Sequence, residues 1–127
     1  IAGQIAKIKG CRVVGIAGGP EKCQWLKEAC GADEVIDYKS ENISSRLSEL
    51  CNGDINVFFD NVGGDHLQAS ITHMRPFGRI PLCGAISVYN DVEPAPGPNN
   101  LTMAIGLGLT LRGFIVSHFN SELEAYD

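Results

Sequence analysis

The stretch Asp54-Ile55-Asn56-Val57-Phe58-Phe59-Asp60-Asn61-Val62-Gly63-Gly64 decides the fold of this chain. Ile55, Val57, Phe58 and Phe59 form an apolar run too short for a helix. Its β-branched and aromatic content predicts a strand buried on both faces, as in a parallel sheet. The run stops on Asp60-Asn61 and turns on Gly63-Gly64. Ligands of open α/β sheets bind at the carboxyl ends of such strands, so Asp60 and Asn61 stand where a site would be.

The pattern on either side repeats the theme. A helix is expected over 1–9, with Ile1, Ile5 and Ile8 on one face and Gly10 as its stop. A buried strand over 11–17 runs into Gly18-Gly19. Pro20 then suits the first turn of a helix, and Glu21 adds a favourable charge there. Cys23, Leu26 and Cys30 would form that helix's inner stripe, with Trp25 packed or half-packed beside it. Glu34 to Asp37 reads as a short strand ending on Tyr38-Lys39. Asn42 is a candidate N-cap for a helix that turns Ile43, Leu47 and Leu50 inward, with Gly53 as its breaker.

Beyond Gly63-Gly64, Leu67, Ile71 and Met74 fall on one helical face. Pro76-Phe77-Gly78 signals a turn, and a strand over 79–84 follows, where Pro81 removes a ladder donor and implies an irregular or edge-facing stretch. Pro94, Pro96, Gly97 and Pro98 punctuate a long loop. A weak helix over 101–109, a strand over 111–116 and the start of a further helix over 121–127 complete the chain. Helical segments alternating with buried strands predict right-handed crossovers and a doubly wound parallel sheet. Gly18-Gly19, Tyr38, Asp60-Asn61 and Gly84-Ala85 then close four strands on one edge.

The 127 residues suffice for one domain and are too few for two. A net charge of -5 argues against a nucleic-acid or anionic-membrane partner. No run approaches a membrane span, no signal peptide opens the chain, and it starts without Met, as a fragment would. The five cysteines, Cys11, Cys23, Cys30, Cys51 and Cys83, include no C-x-x-C pair. They predict reduced, mostly buried thiols in a cytosolic protein with no metal site. His66 and His73 without a third ligand predict a solvated helix face.

Three places could carry chemistry. Gly18-Gly19-Pro20-Glu21-Lys22 is a strand-to-helix turn of the kind that meets phosphate. It lacks the acid that NAD-preferring folds place at this strand end, and Lys22 could reach a 2′-phosphate; the alternative is a tight turn with a solvated lysine. Asp60-Asn61 could hold a ligand or simply form the turn. In Cys83-Gly84-Ala85-Ile86-Ser87-Val88-Tyr89-Asn90 the small residues leave backbone open to a flat ligand, and the Tyr89 hydroxyl could meet a substrate or cofactor oxygen or merely pack. Cys83 as nucleophile lacks a neighbouring base.

Taken in order, these motifs resemble the cofactor domain of the zinc-independent medium-chain dehydrogenase/reductases. Within that family they are similar to the leukotriene B4 12-hydroxydehydrogenase/prostaglandin reductase branch of alkenal and enone reductases. The resemblance covers nearly the whole chain. It implies a Rossmann-type doubly wound parallel sheet and NADPH-dependent reduction of the C=C bond of α,β-unsaturated ketones and aldehydes. By the same resemblance Gly18 and Lys22 meet the cofactor's 2′-phosphate end and Tyr38 lines the adenosine. Asn61 contacts the cofactor; Cys83, Gly84, Ala85, Ile86, Ser87, Val88 and Tyr89 run beside the nicotinamide half. Phe114, Ile115 and Val116 lie on a late strand near the nicotinamide amide. Tyr89 is the catalytic candidate, polarising the substrate oxygen, and the loop over 92–100 resembles one near the substrate mouth.

The family's Gly-rich phosphate loop and the strand before it would precede Ile1, and a substrate domain is also absent. The chain therefore reads as one nucleotide-binding domain fragment over 1–127 with its first strand missing, inactive in isolation. The strands over 11–17 and 56–60 are expected to expose edges and apolar side chains where that strand belongs. The full-length protein is expected to be a cytoplasmic homodimer acting on small molecules. A quinone reductase of the same superfamily and a non-catalytic NADP(H) sensor are the alternatives.

Overall fold

The computed structural model describes residues 1–93 and 95–123. The chain divides into two units, Ile1–Asn52 and Gly53–Asp127.

The first unit is built from α1 (Ala2–Ile8), β1 (Val14–Ala17), α2 (Pro20–Glu28), β2 (Glu34–Asp37) and α3 (Ile43–Cys51). β1 and β2 pair in parallel, Val14 opposite Glu34 through Ala17 opposite Asp37. Local chemistry fixes the helix starts as the sequence predicts. Pro20 opens α2, and the Asn42 side chain accepts the Ser45 N–H at 2.9 Å to cap α3. Val35, Ile36 and Leu47 are buried, while Cys23 and Leu26 form the half-buried stripe of α2 and Cys30, also half-buried, falls in the turn after it. Trp25 is 60% exposed and outside that packing. Lys7 bridges to Asp33 at 2.8 Å, and Asp33 also accepts the Val13 N–H at 2.7 Å. These bonds, the Lys7 contact first, hold the Asp33 carboxyl below its ordinary value.

The second unit contains β3 (Ile55–Val57), α4 (Gly64–Thr72), β4 (Met74–Leu82), α5 (Thr102–Leu107), β5 (Thr110–Gly113), the 3₁₀ turn η1 (Val116–Phe119) and α6 (Asn120–Leu123). Its three strands run parallel in the order β3-β4-β5. Leu67, Ile71, Met74 and Ile80 make the core, flanked by Phe58, Leu82, Met103 and Leu111. The α/β alternation and parallel pairing predicted from the sequence are both present.

Several expectations are corrected. The strand of the opening stretch is not buried on both faces: Val57 is 51% exposed and Phe59 38%. Side chains alternate along the strand: Phe58 packs against the core, and Val57 and Phe59 fall on the other face. β3 pairs with β4 and with no second strand among the described residues. Among the described residues β1 likewise pairs with β2 alone. The strand over 11–17 begins only at Val14, because residues 11–13 make no ladder with β2. β3 also ends early, and Pro81 explains where. In the parallel ladder Asp60 N–H donates to the Pro81 carbonyl at 3.0 Å, but proline has no N–H to return toward Phe58. The ladder resumes as an isolated Asp60–Leu82 bridge, with the Cys83 N–H on the Asp60 carbonyl at 2.8 Å. Pro81 therefore sits in the central strand of the sheet and not at its edge.

The turn expected at Pro76-Phe77-Gly78 is a bulge inside β4. Ile55 faces Met74 but Val57 faces Arg79, and Phe77 takes φ 62. Met74 opens β4 instead of closing α4. The last strand stops at Gly113, so Phe114 and Ile115 lie beyond it and Val116 starts η1. None of the five free cysteines is fully buried, and Cys11 and Cys83 are exposed, Cys11 in the link from α1 to β1 and Cys83 directly after β4. His66 is half-buried, and His73 lies at the C-cap of α4. Pro94 and 124–127 of the expected final helix lie outside the described residues. Among the described residues no helix is long and apolar enough to cross a membrane.

Candidate cofactor edge and strand-end cleft

Each unit closes its strands on a turn held by a buried or half-buried aspartate. In the first unit β1 ends at Ala17, and Gly19 takes φ 99, a region that only glycine enters freely. The Gly19 N–H donates to Asp37 Oδ1 at 2.9 Å, and the Lys39 N–H to the same oxygen at 3.0 Å. These two amides hold the Asp37 carboxyl below its ordinary value, the Gly19 contact first. Tyr38 N–H bonds the Ala17 carbonyl at 3.1 Å, and its ring lies over Gly18, where a Cβ would fall 2.7 Å from the ring. Gly18 and Tyr38 are thus in contact. Lys22 is exposed in the first turn of α2 and forms no ion pair among the described residues. Beneath it Cys23 points its thiol at the Ala17 carbonyl, 3.8 Å away, and burial, then Asp37 and Glu41, push that thiol's pKa up.

In the second unit Asp60 is 1% exposed. Its Oδ1 accepts the N–H groups of Val62 at 3.0 Å and Gly63 at 2.9 Å, which forces the chain to turn into α4. Its backbone carbonyl accepts Cys83 and Gly84 N–H, tying the end of β4 to the same point. The segment after β4 then doubles back along that turn. Ile86 N–H donates to the Asn61 carbonyl at 3.2 Å, and Ser87 N–H to the Val62 carbonyl at 3.1 Å. Gly63 admits this approach, since a Cβ there would stand 3.3 Å from that of Ala85. Tyr89 folds over Gly84, and its hydroxyl accepts the Ala85 N–H at 2.9 Å. The Tyr89 O–H proton donates to nothing among the described residues and the side chain is 64% exposed.

These residues enclose an open cleft of about 310 Å³ lined by Asp60, Gly63, Leu67, Leu82, Cys83, Gly84, Ala85 and Tyr89. Asn61 and Ile86 meet through their backbones, with both side chains exposed. Phe114 joins the end of β4 through its N–H to the Leu82 carbonyl at 3.2 Å, and its ring packs edge-on to Phe59 at 5.9 Å. Ile115 and Val116 point away from packing, 55% and 68% exposed. Beside the cleft, burial lowers the His66 pKa against the pull of Asp60 and Asp65.

The sequence reading took Asp60 as a site or turn candidate without foreseeing its burial, and took Asp37 only as a strand end. The signal for both was present: an Asp at a strand end whose side chain can take the amide two residues on.

The family model for zinc-binding dehydrogenases matches residues 1–127. The chain is 46% identical over 125 residues to prostaglandin reductase 1 of Bos taurus, covering 97% of this chain and 37% of that protein. It is 40% identical over 119 residues to the NADPH-dependent curcumin reductase of Escherichia coli, covering 91% and 34%. The fold superposes on CurA from Vibrio vulnificus, solved in complex with NADPH, with a TM-score of 0.83 at 40% identity, covering 97% of this chain and 39% of that one. The chain thus spans little more than a third of the length of these relatives. The family's description implies zinc, but the residues here do not fit that ion: among the described residues no three His, Cys, Asp or Glu side chains converge. The chain belongs to the zinc-binding dehydrogenase family, within the medium-chain dehydrogenase/reductases, on the branch of the prostaglandin reductases.

Proposed function

We propose that this chain is the NADP(H)-binding portion of an oxidoreductase that reduces the C=C bond of α,β-unsaturated ketones and aldehydes. The observation that carries the reading is the Tyr89 hydroxyl: Tyr89 lines the strand-end cleft, its oxygen is fixed by the Ala85 N–H, and its proton has no acceptor among the described residues. The resemblance to prostaglandin and curcumin reductases supports this substrate class above a quinone reductase or a sensor module.

The residues fit a nicotinamide dinucleotide. Gly63, Gly84 and Ala85 keep the backbone open along the cleft. In the first unit the Tyr38 ring over Gly18 offers a flat surface, and Lys22 offers a cation with no ion pair among the described residues. Bound NADPH supplies a hydride to the β-carbon of the conjugated substrate. Negative charge then develops on the substrate oxygen, and the Tyr89 O–H is the donor that meets it. Cys83, Ile86, Ser87 and Val88 shape the backbone beside the nicotinamide, and Phe114, Ile115 and Val116 approach it from the end of β5. Asn61 contributes its exposed amide.

The preference for NADPH follows from two neighbours. Asp37, the acid nearest the Gly18-Gly19 turn that could hold a ribose diol, already accepts the Gly19 and Lys39 amides and the Ser40 side chain, whereas Lys22 forms no ion pair among the described residues. In the full-length protein Lys22→Ala is expected to raise the KM for NADPH about tenfold, the low end for a charged hydrogen bond because the side chain is exposed. The KM for NADH stays nearly unchanged. Equal effects on both cofactors remove Lys22 from the 2′-phosphate.

Both units belong, in this reading, to one nucleotide-binding domain. Five free cysteines support a reducing, cytoplasmic setting. Exposed Phe77 and Ile105, at 83% and 84%, support association into a homodimer.

A further inference from the structure

The start of α2 carries no side-chain cap of its own. Its N-cap amide, that of Gly19, is held instead from the next strand, by Asp37 Oδ1 at 2.9 Å. The same oxygen accepts the Lys39 N–H at 3.0 Å, and the Ser40 side chain bonds to the same carboxyl. One carboxylate thus joins the turn after β1 to the turn after β2. Between the two turns the Tyr38 ring lies against Gly18. Asp37 is itself braced: its N–H donates to Glu41 Oε2 at 2.8 Å, and Glu41 pairs with Arg46 at 2.9 Å. A charged acceptor shared by two amides is a stronger tie than a neutral one. Gly19, at φ 99, is the residue with the widest backbone freedom, and a helix start leaves its first amides without intrahelical partners. The tie from Asp37 therefore decides where the first turn of α2, with Lys22 in it, stands.

We infer that Asp37 is a positioning residue for the selection of NADPH over NADH: through the Gly19 and Lys39 amides it fixes the turn that presents Lys22 to the 2′-phosphate. The inference rests on the NADP(H) reading above and assigns part of the preference to a residue that does not touch the phosphate. It makes a carboxylate favour a phosphate ligand, the opposite of what its charge alone would do. That opposition of sign is what an experiment can read. Asp37→Asn keeps a side-chain carbonyl for the amides and removes the charge, whereas Asp37→Ala removes both.

The test is calorimetric titration of the full-length protein with adenosine 2′,5′-bisphosphate and with 5′-AMP, which differ only in the 2′-phosphate. Both share the adenosine, so a general loosening of the fold weakens both and cancels in the ratio of their affinities. Asp37→Ala is expected to lower the preference for the bisphosphate about tenfold, to the level of Lys22→Ala, and the double variant to lower it no further. Asp37→Asn is expected to keep at least the wild-type preference. A preference unchanged or raised by Asp37→Ala, an Asn variant as damaging as Ala, or losses that add in the double variant overturns the inference and leaves the NADPH reading intact. A preference unmoved by Lys22→Ala overturns the role of Lys22 and the inference with it. Wild-type protein that binds the two ligands equally overturns the NADPH preference as well. Should Asp37→Ala fold poorly, Asp37→Ser decides in its place: its single hydroxyl cannot serve both amides, so the preference falls as for Ala, and a wild-type preference overturns the inference.

Discussion

Tyr89→Phe is expected to lower kcat for enone reduction about 100-fold in the full-length protein, with NADPH affinity changed by no more than about twofold. The magnitude is that of losing one donor aimed at developing oxyanion charge. The asymmetry follows because such a donor acts mainly in the transition state. The structure adds a second consequence. The Tyr89 hydroxyl also accepts the Ala85 N–H at 2.9 Å, so the variant releases that amide as well. Ala85 is half-buried, and its N–H can turn to water, so the fold tolerates the loss. Steady-state kinetics with both substrates varied separates the effects. An unchanged kcat with weakened NADPH binding makes Tyr89 a cofactor contact and places the donor elsewhere.

Asp60→Ala is expected to destabilise the fold by about 2–3 kcal/mol in chemical denaturation. Two hydrogen bonds to a carboxylate are lost, each worth about 1.5–3 kcal/mol, while removing the unpartnered Oδ2 returns about 1–3 kcal/mol. The Gly63 N–H at the head of α4 loses its acceptor, and the joint with the end of β4 loosens because both pass through this residue. Against a typical stability of about 5–15 kcal/mol this is a large change. Asp60→Asn, which preserves the Oδ1 contacts, is expected to fall within about 1 kcal/mol of wild type. If Ala and Asn are equally mild, the Val62 and Gly63 bonds contribute little and the turn is set by its glycines.

How much of this was legible in the sequence depended on the range of the interactions involved. The start of α2 at Pro20, the Asn42 cap and the glycine turns were readable because each is decided within a few residues. The parallel pairing followed from helices alternating with apolar runs. The burial of β3 was not readable, because Val57 and Phe59 depend on what covers their face of the strand and not on their own hydrophobicity. Pro76-Phe77-Gly78 carried a sound local turn signal, but the sheet absorbed it as a bulge with a slipped register. The strand ends at Asp60-Asn61 and Gly84-Ala85 lie side by side, as parallel strands require. The turn role of Asp37 and the burial of Asp60 were not readable, because an Asx turn looks the same in sequence whether its aspartate is solvated or buried.

The most direct test of the enone-reductase account is the product formed by the full-length protein from a conjugated enone and NADPH carrying deuterium at the transferable C4 position. The account predicts one NADPH oxidised per saturated ketone formed, with deuterium on the former β-carbon; an allylic alcohol labelled at the carbonyl carbon, or no enone-dependent oxidation of NADPH, would contradict it.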